Sequence, residues 1–64
     1  MANVITYPPD PNDPDYMYGR TETPDHEWKI WLRHSGHCYL YIDGRFVLHH
    51  SLDACKQHLE NLTE

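Results

Sequence analysis

Between Trp28 and His50 apolar and polar residues alternate almost without interruption, in three runs, WKIWLR, HCYLYI and RFVLHH, separated by His34-Ser35-Gly36 and Asp43-Gly44. Trp28, Ile30 and Leu32 alternate with Lys29, Trp31 and Arg33, and Cys38, Leu40 and Ile42 with His37, Tyr39 and Tyr41. A period of two places successive side chains on opposite faces of a strand, so the pattern predicts three strands, each with one face toward a core.

Parity sets the expected turns. If Asp43-Gly44 alone closed the second hairpin, Phe46 and Leu48 would fall on the face of Tyr39 and Tyr41 and split the apolar set. A three-residue loop, Ile42-Asp43-Gly44, with the glycine left-handed, pairs Leu40 with Phe46 and Cys38 with Leu48. The loop His34-Ser35-Gly36 pairs Leu32 with Cys38 and Ile30 with Leu40 in the same way. The predicted inner face carries Trp28, Ile30, Leu32, Cys38, Leu40, Phe46 and Leu48. The outer face carries the rows Lys29, Tyr41, Arg45, then Trp31, Tyr39, Val47, then Arg33, His37, His49.

The inner face needs a lid. Leu52, Cys55, Leu59 and Leu62 recur at helical spacing, with Ser51 placed to cap and Asp53 in the first turn. The expectation is therefore an α+β domain over residues 27–64: a three-stranded antiparallel meander with one C-terminal helix packed on one face, βββα. Residues 1–26 hold all five prolines and read as an extended, acidic Pro/Asp-rich arm, with a short strand over residues 3–7. Tyr16 and Tyr18 are too apolar for a solvated linker and are expected to dock on the domain or on a partner.

With 64 residues, the chain buries only about 60% of the surface its unfolded form exposes. The formal charge of −5 argues against a general nucleic-acid binder and against an anionic membrane surface. That total is uneven. Asp10, Asp13, Asp15, Glu22, Asp25 and Glu27 oppose Arg20 in the first part, whereas Lys29, Arg33 and Arg45 oppose Asp43 in the alternating part. No apolar run is long enough to span a membrane and no signal peptide is evident, so the expected setting is cytoplasmic. The two cysteines are then expected as thiols.

A metal site is conceivable from His34 and Cys38 at the first hairpin and Cys55 and His58 on the helix. Both cysteines, however, align with the apolar stripes and read better as small buried hydrophobes, so no metal or other cofactor is expected. Nucleophilic chemistry needs a base, an orienting group and a cleft, and a single sheet-and-helix layer leaves little room for one. The expectation is a protein that is not an enzyme.

The outer face is the sharper signal. Trp31, Tyr39, Tyr41 and Val47, flanked by Lys29, Arg33 and Arg45, form a patch that a solitary domain rarely leaves bare. Three covers suit it. The arm can fold back, with Tyr16 and Tyr18 on the sheet and Asp13 or Asp15 meeting Lys29 and Arg45. Another protein or a second copy in a homodimer can bind it. Nucleic acid can stack on it. The βββα topology over residues 28–62 resembles the DNA-binding domains of plant ethylene-response factors and the arm-site domains of some phage integrases, which implies groove reading by the sheet. In size and charge the chain is similar to the DNA-mimicking proteins that phages encode, which implies a viral inhibitor of a basic target. From the residues themselves the reading is a small acidic interaction module, an inhibitor or adaptor, with a nucleic-acid-binding regulator as the alternative.

Overall fold

The computed structural model describes residues 2–63. Five strands form one antiparallel sheet in sequence order: β1 (Asn3–Thr6), β2 (Tyr16–Glu22), β3 (His26–Leu32), β4 (His37–Ile42) and β5 (Arg45–Ser51). A single helix, α1 (Leu52–Glu60), follows directly. The three-stranded meander is thus corrected to five strands, and the extended arm to two of them. The physical reason lies in where the prolines sit. Pro8, Pro9, Pro11 and Pro14 all fall in the β1–β2 connection and Pro24 in the β2–β3 connection. They mark the ends of strands and leave the ladders free of residues that cannot donate. Between them, Val4, Ile5 and Thr6 and the run Tyr16-Met17-Tyr18 have the β-branched and aromatic character that suits strands. The acidic connection is itself built: Asp13 N donates to Asp10 O (3.0 Å), Asn12 N to Asp10 Oδ1 (2.9 Å) and Leu32 N to Asp15 O (2.7 Å).

The first hairpin has the register that the alternation predicts, with Leu32 opposite Cys38 and Ile30 opposite Leu40. The second does not. Asp43 (φ 54°) and Gly44 (φ 81°) are both left-handed, and Ile42 pairs with Arg45, the geometry of a two-residue type I′ hairpin. Tyr41 then faces Phe46, a bulge follows, and Leu40 faces Leu48 and Cys38 faces His50. The bulge repairs the parity that a longer loop was expected to repair. The two-residue turn itself makes an exchange: Phe46 points outward and is 56% exposed, while Val47 packs against the core.

That core comprises Trp28, Ile30, Cys38 and Leu40 from the sheet and Cys55 and Leu59 from α1, with Val4, Met17, Ile42 and Leu48 packed against it. The Ser51 hydroxyl caps α1 by accepting from Ala54 N at 3.3 Å, and Asp53 lies in the first turn where the helix dipole favours an acid. The helix packs against β5, β4 and β1. Ala2 N donates to Glu60 O at 2.9 Å and ties the beginning of the chain to the helix end.

Candidate functional site

With α1 sealing one face, the opposite face of all five strands is left to solvent. Strand parity puts Tyr16, Tyr18 and Arg20 of β2, Glu27, Lys29 and Trp31 of β3, Tyr39 and Tyr41 of β4, and Phe46 and His49 of β5 on it. Tyr7 joins from the end of β1, where its amide donates to Tyr18 O at 2.9 Å. Tyr16, Tyr18, Trp31, Tyr39 and Tyr41 are half-buried and Tyr7 and Phe46 exposed.

Two parallel rows run across the strands. In one, Tyr16, Trp31, Tyr39 and His49 are cross-strand neighbours. Tyr16 stacks on Trp31 (centroids 6.0 Å, planes 14° apart), Trp31 leans on Tyr39 (5.5 Å, 33°), and Tyr39 stacks on His49 (4.1 Å, 5°). Cross-strand pairing at about 4.8 Å brings these rings together into one row. Lys29 Nζ lies 4.0 Å from the Tyr16 centroid and the Arg33 guanidinium carbon 4.4 Å from that of Trp31. Both are cation–π contacts, which stabilise by about 0.5–1 kcal/mol each at exposed sites. In the second row Tyr7 meets Tyr18 edge-on (6.2 Å, 75°) and Phe46 meets Tyr41 edge-on (5.9 Å, 65°), with Lys29 between the pairs.

The expected patch changes in composition. Trp31, Tyr39, Tyr41, Lys29 and Arg33 lie together, and Tyr16 and Tyr18 extend the same face as part of β2. Val47 leaves it for the core, and Arg45, opposite the core residue Ile42, takes the helix-side parity. Phe46 takes their place, His49, already expected on this face, falls in the row of Tyr39, and Tyr7 is added. Of the three covers that suit the outer face, the folded-back arm is replaced by a β2 that enlarges the aromatic surface. Among the described residues neither Asp13 nor Asp15 pairs with Lys29 or Arg45; the ion pairs are Arg20 with Glu22 (4.0 Å) and His26 with Asp43 (2.6 Å).

The cysteines sit in the core, Cys38 3% and Cys55 0% exposed. Burial raises the Cys55 thiol pKa, and the neighbouring Cys38 raises it further. His34 and His58 are exposed, on the β3–β4 turn and on α1, and no three His, Cys, Asp or Glu side chains gather into a metal site among the described residues. The cramped surface expected of a two-layer domain is also corrected: a concavity of about 530 Å³ is lined by Tyr7, Tyr16, Tyr18, Glu27, Lys29 and Tyr41 among others, with the Lys29 ammonium over Tyr16.

No helix among the described residues is long and apolar enough to cross a membrane. No protein-family model matches the chain, and no curated protein or solved structure matches it significantly.

Proposed function

We propose that this chain is a non-enzymatic protein-binding module, an acidic inhibitor or adaptor that seats the outer face of its sheet on a basic surface of another protein. The observation that carries this reading is the uninterrupted row Tyr16, Trp31, Tyr39 and His49 on the face that no other layer covers. Aromatic side chains supply large contact area at low entropic cost, and they are enriched at the centres of protein interfaces. The crowding around Trp31 favours protein over nucleic acid. A base needs a free ring face, whereas Trp31 is flanked by Tyr16 and Tyr39 and overlain by Arg33. Arg45 is off the face, and the formal charge of −5 suits a cationic target.

Capture from cell extract by immobilised chain, compared with solution mass by light scattering, tests the proposal. A captured protein that is basic, that Tyr39→Ala releases and that the helix-side variant Lys56→Glu retains is the expected result. Capture that Tyr39→Ala leaves intact overturns it. A concentration-dependent doubling of mass that Tyr39→Ala abolishes assigns the face to a second copy instead, and capture replaced by salt-sensitive binding of single-stranded DNA assigns it to nucleic acid.

A further inference from the structure

The second aromatic row has a gap at its centre. Tyr18 on β2 and Tyr41 on β4 are separated by β3, whose residue in line with them is Lys29. Two strand spacings amount to roughly 9.6 Å. One planar group in contact with both rings needs about 7–8 Å, so a guest between the strands packs closely on one ring and more loosely on the other. Lys29 does not fill the gap, since its ammonium lies over Tyr16. A second ring meets each of the two edge-on, Tyr7 against Tyr18 and Phe46 against Tyr41. Tyr7, Tyr18 and Tyr41 line the concavity of about 530 Å³.

Its two ends differ in charge. Tyr16, Trp31 and Lys29 bound one end. Glu27, two residues before Lys29 on the same face, bounds the other and is exposed. Its cross-strand neighbour Arg20 pairs with Glu22, and Glu27 forms no ion pair among the described residues. Aromatic walls favour a flat group, and an exposed carboxylate at the end favours a cation that can donate to it. A guanidinium is both. An ammonium has the charge without the plane and is more strongly hydrated.

We propose that the concavity receives an arginine side chain from the basic partner, its guanidinium packed against the aromatic rings of Tyr18 and Tyr41 that line it and donating N–H groups to the Glu27 carboxylate. This rests on reading the outer face as protein-binding and names the partner residue that the face selects. Lys29 provides the discriminating sign. It repels an arriving guanidinium and attracts a phosphate, so its removal strengthens the first and weakens the second.

The test is NMR titration of the full chain with the peptide acetyl-Gly-Arg-Gly-amide and with its citrulline counterpart, which keeps the planar shape and loses the charge. The arginine peptide is expected to shift the ring resonances of Tyr18 and Tyr41, with the citrulline peptide about tenfold weaker. Glu27→Gln is expected to weaken the arginine peptide by a similar factor, with the core resonances of Trp28 unmoved, and Lys29→Met to tighten it. Equal response to the two peptides, no shift at Tyr18 or Tyr41, or weakening by Lys29→Met overturns the inference. Loss of partner capture in Tyr39→Ala together with no peptide binding sinks the arginine site and leaves the face reading standing. Peptide binding together with capture indifferent to Tyr39→Ala does the reverse.

Discussion

Gly19 is the residue whose replacement the sheet tolerates least. A Cβ there would run into the carbonyl oxygen of Ile5 on the neighbouring strand and come within 2.8 Å of Trp28 Cζ2. Neither obstacle is the free end of a flexible side chain. Gly19→Ala is expected to destabilise the fold by about 1–3 kcal/mol or more through overpacking, measured as a lower urea midpoint, and an unchanged midpoint would refute the close approach. Trp28 also carries a buried Nε1 with no hydrogen-bond partner. Trp28→Phe removes that unsatisfied donor, which offsets part of the cavity it leaves. Asp43 gives a pH signature. Its carboxylate is held by His26 Nδ1 at 2.6 Å and accepts from Glu27 N at 3.2 Å, and these bonds, His26 first, lower its pKa below the ordinary 3.8. A lowered carboxylate pKa contributes stability that is complete above the ordinary value and disappears as pH falls through the folded one. Asp43→Asn keeps a side chain that tolerates the left-handed turn and removes the titration. Its stability is expected to fall less than that of the wild type between pH 5 and pH 2; parallel pH profiles by thermal melting would contradict this.

At the scale of elements, the first hairpin and the helix were readable because one signal sufficed for each: strict alternation with a glycine-ended turn, and a four-residue apolar repeat behind a serine. The second hairpin was not. Asp-Gly is itself a strong two-residue turn signal, but it conflicted with keeping Phe46 and Leu48 together, and alternation cannot reveal that a bulge after Phe46 reconciles the two. The tight turn carries Phe46 outward and Arg45 and Val47 to the helix side, and the inserted residue returns Leu48 to the core, which is why the site in the sequence lacked Phe46 and gained Val47 and Arg45. The short strand over residues 3–7 was legible and is β1 (Asn3–Thr6), but its partner β2 was obscured by the acidic, proline-rich residues before it, and with β2 unrecognised Tyr16 and Tyr18 could not be given a face. Tyr7 and Glu27 were missed for the same reason, since their roles depend on how β2 is paired. The helix offers its own check. Ser51→Ala is expected to cost about 1 kcal/mol by removing the cap, seen as a lower melting temperature with the outer-face ring contacts unchanged; a neutral effect would show that packing alone holds the first turn.

For the whole molecule, the central relation is between a sealed face and an open one: α1 closes the side of Trp28, and the side of Trp31, with an acidic loop at its edge, is uncovered and is the side we propose for a partner. The two tryptophans report on the two sides separately. In Trp28→Phe the remaining fluorophore is Trp31, and its quenching by acrylamide with and without the captured partner measures the claim directly. The account predicts that Trp31 is readily quenched in the free protein and becomes shielded in the complex. A Trp31 that is already shielded in the free monomer, or that stays equally open to acrylamide when the partner is bound, would contradict it.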